Sequence, residues 1–258
     1  LFNNDNDKSK NALKVLYDKL VQNGFEISEE DYNIAIAIGG DGSFLRMIKE
    51  TKFNSDVLYI GVNAGTLGFT QEVLMDDIDE FINDLINDTY KVDSIGIQET
   101  KVITSTLEAK FYSLNEIVIR EKNLNTMFIN VEIDDNFLEQ FVGDGLLITT
   151  SFGSTAYNLS FGGSIIYNTF HSLQITPIAP INNKSYRNLL NSIVIPENKV
   201  VTLTPSTNKN NLLITADGEN IVYDDVLLIK TYINKKRIKC FRRKDYDFSK
   251  RINEKFLK

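Results

Sequence analysis

Ile34-Ala35-Ile36-Ala37-Ile38-Gly39-Gly40-Asp41-Gly42-Ser43 is the stretch on which the reading of this chain turns. Five apolar residues in a row, closed by glycines, have the length and unbroken character of a parallel strand buried on both faces. From Phe44 to Lys49 the spacing becomes helical. A strand that turns on glycine into a helix is where open α/β sheets receive ligands. Three glycines let the backbone turn tightly and approach phosphates. The helix that follows offers N–H groups and a favourable dipole to an anion. Asp41 is out of place in a loop that only holds phosphate, because like charges repel. It fits a general base, or an indirect magnesium ligand. The plainer alternative is a tight turn in which Asp41 caps the helix.

Outward from this stretch the chain has two styles. Before it, Ser9 to about Asn23 carries Leu13, Leu16, Leu20 and Val21 at helical spacing, and Gly24 is a natural stop. After it come a second buried strand, Val57–Ile60, and a helix over Asp76–Asn87. That helix has acids in its first turn and Ile78, Phe81, Ile82 and Leu85 on one face. Strands alternating with helices predict an α/β layer with a parallel sheet.

From about Tyr90 the segments become strand-like: Lys101–Thr106, Leu114–Arg120, Phe128–Ile133 and Phe137–Val142, with Asp135-Asn136 as a hairpin turn. Val200–Thr204, Asn211–Thr215, Ile221–Tyr223 and Val226–Ile229 continue the style, with Asp217-Gly218 at a turn. The tail, Tyr246–Leu257, reads as helical again. The expectation is an α/β Rossmann-like domain over residues 1–92, joined by a returning segment at 240–258, and a β-rich, sandwich-like domain over 93–239.

A second glycine-rich signal is Gly143-Asp144-Gly145, which leads through an apolar strand into Ser151-Phe152-Gly153-Ser154-Thr155-Ala156-Tyr157. Small residues admit a ligand close to the backbone, and hydroxyls supply adaptable hydrogen bonds. Tyr157 is placed to stack on a ring. The structural alternative, a polar helix cap with Tyr157 in the core, has equal weight on these residues alone.

Composition narrows the classes. A net charge of −7 disfavours a nucleic-acid partner held along its phosphates, while leaving room for a small anionic ligand. Lys235-Lys236-Arg237 and Arg242-Arg243-Lys244 read as solvated faces around a strand. No apolar run approaches the roughly 20 residues of a membrane span. The opening residues, Leu1-Phe2-Asn3-Asn4-Asp5, lack the order of a signal peptide. With the single Cys240, this suggests a cytoplasmic protein. There is no G-x-x-x-x-G-K-[ST] and no G-x-G-x-x-G after a strand. One histidine, His171, rules out a His-rich metal site, and no all-protein metal cage is visible.

Taken together, Gly39–Ser43, Gly61-Val62-Asn63-Ala64-Gly65-Thr66-Leu67-Gly68-Phe69, Asn115-Glu116 and Gly143–Tyr157 resemble the NAD kinase family in order and spacing. GGDG by itself is shared with diacylglycerol-type lipid kinases and phosphofructokinase relatives. The GDG…GSTAY block and G-x-L-G-F make the likeness specific. The resemblance implies transfer of a phosphoryl group from ATP or polyphosphate to the 2′-hydroxyl of NAD, with Mg²⁺, in a homodimer or homotetramer. It implies Asp41 as the catalytic residue, with Gly39, Gly40, Gly42 and Ser43 around the phosphates. Phe69 would lie near the adenosine, and Asn115 and Glu116 would hold adenine and ribose. Thr155, Ala156 and Tyr157 would line the adenosine side, and Asp144, Ser160 and Ala179 the nicotinamide half. Val142 and Phe152 depart from the pattern, standing where relatives often carry Arg and a small polar residue. The competing readings are a lipid kinase, which would need an acyl pocket, and a non-catalytic NAD-binding sensor.

Overall fold

The computed structural model describes residues 1–3, 7–64, 68–207 and 210–258. The chain folds as two units, Leu1–Ile95 with Lys236–Lys258, and Gly96–Lys235. The switch points expected from sequence, 92/93 and 239/240, differ from these by a few residues.

In the first unit the elements are β1 (Phe2–Asn3), α1 (Asp7–Gln22), β2 (Ile34–Gly39), α2 (Asp41–Glu50), β3 (Leu58–Asn63), β4 (Val73–Leu74) and α3 (Ile78–Ile86). The strands β1, β2, β3 and β4 pair in parallel, with Ile36 opposite Ile60 and Ile38 opposite Val62. Both central strands are buried along nearly their whole length, which is why their sequences are apolar without alternation. Helix α1 buries Ala12, Leu16 and Leu20, one residue per turn, whereas Val21 faces solvent. It ends where Gly24 takes a φ of +84° and the Phe25 N–H returns to the Leu20 carbonyl. Leu16, Ile38, Ile60, Val62, Phe81 and Phe241 join one apolar core.

The second unit is all β: β5 (Lys91–Thr104), β6 (Glu108–Ser113), β7 (Glu116–Glu121), β8 (Met127–Ile133), β9 (Asn136–Gly143), β10 (Gly145–Thr150), the short helix α4 (Tyr157–Ser160), β11 (Ser172–Ile178), β12 (Ile193–Pro196), β13 (Val201–Pro205), β14 (Leu212–Ala216), β15 (Glu219–Tyr223) and β16 (Val226–Arg242). The chain enters this unit within β5 and leaves it within β16. One sheet runs β16-β13-β8-β9, with β5 beside β16 and β6; the other runs β12-β11-β10-β7-β14-β15. Val131, Phe141, Leu203 and Ile229 of the first share a core with Ile119, Ile148, Ile175 and Ile214 of the second. This is a sandwich.

Several details differ from the sequence reading, among them Arg242, expected on a solvated face but buried in ion pairs with Glu72 and Asp93. The β8–β9 turn is Asp134-Asp135, both at positive φ, one residue earlier than expected. Strands β1, β4, β6, β11 and β12 add to those anticipated, and β5 begins at Lys91, well before the expected Lys101. Strand β16 runs straight through Lys235-Lys236-Arg237, where exposed charges hide the strand pattern. The tail returns to the first unit as α5 (Phe248–Ile252) and a π-type turn over Asn253–Leu257. Asp247 caps α5, accepting the Lys250 N–H at 2.8 Å.

Candidate active site

The residues singled out from sequence fall into two groups, one in each unit. In the first, Gly39 closes β2 with a φ of +149°, open to glycine and rarely to other residues. A Cβ added at Gly40 or Gly42 would meet nothing within 4 Å, so this loop has room for a ligand against its backbone. Helix α2 starts at Asp41 with no side-chain cap. The N–H groups that a helix start leaves without intrahelical partners are here those of Asp41 and Gly42, since Phe44 already returns to the Gly40 carbonyl at 3.3 Å. Ser43 is buried, and its N–H returns to the Gly40 carbonyl at 2.9 Å.

Asp41 does not cap its own helix, which corrects the plainer reading of this loop. Its carboxylate reaches the segment after β3. Oδ1 accepts the Thr70 N–H at 2.9 Å and the Thr70 hydroxyl at 2.7 Å, and Oδ2 accepts the Phe69 N–H at 3.3 Å. Glycine at 68 permits this approach, since a Cβ there would lie 2.4 Å from Oδ1 of Asp41. Gly65, Thr66 and Leu67 of the same motif lie outside the described residues. Phe69 is half-buried, its ring 5.2 Å from Phe256 and 6.4 Å from Phe248.

In the second unit, Glu116 begins β7 and Asn115 immediately precedes it, at a corner held by Asp217. That carboxylate accepts the N–H groups of Leu114 at 2.6 Å, Asn115 at 2.8 Å and Glu116 at 3.2 Å. The Asn115 carbonyl accepts the Thr149 hydroxyl and the Thr150 N–H, both at 2.9 Å. A Cβ at Gly153 would lie 2.3 Å from that carbonyl, so the Ser151–Tyr157 loop rests directly on Asn115. Glu116 is buried, and its Oε2 has no hydrogen-bond partner. Burial, followed by the charge of Asp217, pushes its carboxyl up to about 8, against the pull of the Tyr157 N–H.

Thr155 and Ala156 are half-buried and Tyr157 is 43% exposed, which removes the reading that put Tyr157 in the core. The Tyr157 hydroxyl accepts from Arg120 at 3.3 Å, and its ring meets Phe161 edge-on at 4.9 Å. The buried Asn158 pins this loop from below. Its amide donates to the carbonyls of Ser154 at 3.1 Å and Ser164 at 3.3 Å and accepts the Thr176 hydroxyl at 2.7 Å. Asp144 and Ala179 are exposed at the Gly145 end of β10, whereas Asn115 sits at its Thr150 end. Five residue steps along a strand separate the two by roughly 17 Å. Ser160, on α4, is exposed; the next residue, Phe161, packs on Val118, Leu147 and Ile178 of the same sheet. Val142 and Phe152, the two departures from the family pattern, are both buried.

Sequence reasoning missed Thr70, Asn158 and the role of Asp217. Asp217-Gly218 gives a turn signal, and Asp217 does have a positive φ, but nothing local reveals that its carboxylate holds Asn115.

Family models of the ATP-NAD kinase N-terminal domain and C-terminal domain match residues 3–90 and 114–232. The NAD kinase of Finegoldia magna is 40% identical over 266 aligned positions, covering 100% of this chain and 97% of that protein. The NAD kinase of Staphylococcus saprophyticus is 30% identical, covering 97% and 94%. Among solved structures, yeast NADH kinase complexed with NADH aligns with a TM-score of 0.82 at 18% identity, over 98% of this chain and 85% of that one. An NAD kinase from Archaeoglobus fulgidus in complex with ATP aligns at 0.76 and 18%, over 97% and 95%. These two establish likeness of fold. With both halves matched and identity sustained along its whole length, the chain belongs to the NAD kinase family.

Proposed function

We propose that the chain transfers the terminal phosphoryl group of ATP, or of polyphosphate, to the 2′-hydroxyl of the adenosine ribose of NAD, with Asp41 as general base. The observation that carries the role of Asp41 is the uneven loading of its carboxylate. Oδ1 holds two short hydrogen bonds, while Oδ2 holds one at 3.3 Å. Oδ2 is the oxygen with a lone pair to spare for the hydroxyl proton. The Thr70 and Phe69 donors orient it, so the proton is taken by a group already in place.

The open backbone at Gly40 and Gly42 and the first turn of α2 suit the phosphates. Among the described residues no three His, Cys, Asp or Glu side chains converge on a metal position. Mg²⁺ would be held through the phosphates with Asp41 as an indirect ligand, and its charge would relieve the repulsion between that carboxylate and the nucleotide. Asn115 and the unpartnered Oε2 of Glu116 offer hydrogen bonds to adenine and ribose. Asp144, Ser160 and Ala179 would receive the nicotinamide half.

Association into a dimer or tetramer is supported by large apolar side chains left in solvent, Phe170 at 68% and Leu190 at 55%. A cytoplasmic setting agrees with a single free thiol. Among the described residues no helix is long and apolar enough to cross a membrane. The lipid-kinase and sensor readings are not favoured, as the family match extends over both halves of the chain.

The test is NADP formation from NAD, ATP and Mg²⁺, with Asp41→Asn alongside. Turnover is expected to fall by roughly a hundredfold in the variant while NAD still binds. Unchanged turnover would refute the base. Polyphosphate in place of ATP separates the donors.

A further inference from the structure

We propose that the C-terminal segment, through Phe256 and Arg251, is a positioning element for the Asp41 carboxylate. The proposal rests on the reading of Asp41 as the base. The hydrogen bonds that orient Asp41 come from Phe69 and Thr70, and residues 68–72 belong to no helix or strand. A segment without a ladder of its own takes its position from what it touches.

On one side it touches β3. The Glu72 N–H donates to the Gly61 carbonyl at 2.9 Å, and a Cβ at Gly61 would lie 2.2 Å from the Thr70 carbonyl oxygen. On another it is gripped by residues near the end of the chain, at two points that flank Thr70. Ahead of Thr70, the Phe69 ring lies 5.2 Å from Phe256 and 6.4 Å from Phe248. Beyond it, the Glu72 carboxylate, 5% exposed, accepts from Arg251 Nη2 at 3.4 Å and from the Arg243 N–H at 3.3 Å. Arg242 Nη1 stands 3.6 Å from the same carboxylate. A buried carboxylate keeps such partners because losing one leaves charge uncompensated. Phe256 and Arg251 sit on one short helical run, so both grips move together. Shifting that run moves the donors to Asp41 and re-aims Oδ2. If the tail instead merely covered apolar surface, its loss would lower stability without any link to Asp41.

The experiment is a double-mutant cycle on kcat in the full chain, with Phe256→Ala, Phe256→Leu and Arg251→Met, each alone and combined with Asp41→Asn. Each tail substitution alone is expected to lower kcat by about three- to tenfold, Phe256→Leu least, with the KM for ATP unchanged. In the Asp41→Asn background the same changes are expected to cost less than about twofold, because the group they position is already disabled. Losses that multiply with Asp41→Asn, or tail variants of normal kcat, would overturn the proposal and leave the base intact. Full activity of Asp41→Asn alone would remove the base, and the proposal with it. Should Phe256→Ala fail to fold, Phe256→Leu and Arg251→Met decide the matter.

Discussion

Gly68 lies so close to Asp41 that a single methyl group at residue 68 would stand 2.4 Å from the Asp41 Oδ1. The same methyl would stand 2.0 Å from Oε1 of the buried Gln71, which donates to the Thr70 hydroxyl at 2.6 Å, and the carboxylate cannot move without leaving its donors on Phe69 and Thr70. Gly68→Ala is therefore expected to lower kcat by roughly tenfold or more in a protein that still folds. Steady-state kinetics with a thermal melt checks this; normal kcat would mean the carboxylate has freedom that its hydrogen bonds deny it.

Thr70→Val keeps shape and removes one donor to Oδ1, leaving the backbone N–H at 2.9 Å. A hydrogen bond to a charged group contributes about 1.5–3 kcal/mol. The expected result is a fall in kcat of roughly three- to tenfold with little change in the affinity for NAD, measured by calorimetric titration.

Asp217 holds three successive backbone N–H groups of residues 114–116. Asp217→Ala leaves them without that acceptor and is expected to cost on the order of 2–4 kcal/mol in stability. Binding of NAD is expected to weaken more than kcat falls, because the corner it shapes carries Asn115 and Glu116. Equilibrium unfolding and NAD titration on the same variant test both halves.

Asn158→Leu removes two donated bonds and one accepted bond from a buried position. A loss of about 2–4 kcal/mol is expected. A Cβ at Gly163 would lie 2.0 Å from the Asn158 Oδ1, so Gly163→Ala is expected to disturb the same loop. Denaturant melts of the two variants and their double mutant would show non-additive losses.

Glu116 makes stability depend on pH. Its carboxyl titrates at about 8 in the folded chain against an ordinary value of 4.5, so the folded state retains a proton that the unfolded state releases. Stability is fullest below 4.5, declines as pH rises towards about 8, and levels off above. Glu116→Gln removes this dependence and is expected to gain on the order of a few kcal/mol over the parent at alkaline pH. Unfolding measured across the range from acid to alkaline pH would give parallel curves for parent and variant if burial did not hold the proton there.

Much of the fold was legible because its signals are local. The Ile34–Ile38 run, its closing glycines and the helix after Asp41 record burial and backbone geometry in consecutive residues. The hairpin at Asp134-Asp135 lies within one residue of its expected place. Strand β16 extends beyond its legible part because exposed Lys235 and Lys236 break the apolar pattern, although pairing with neighbouring strands carries the backbone through them.

What the sequence by itself determined was the strand–glycine–helix loop with an acid in it, the β-rich second half, and the motifs that mark the family. Each is written in residues a few positions apart. Tertiary structure alone decided which groups serve that acid and shape the second site. Thr70 meets Asp41 across 29 positions, and Asp217 meets Asn115 across 102. A hydrogen bond requires only that two groups be close in space, and a separation of that size leaves no periodicity or spacing from which it could be read.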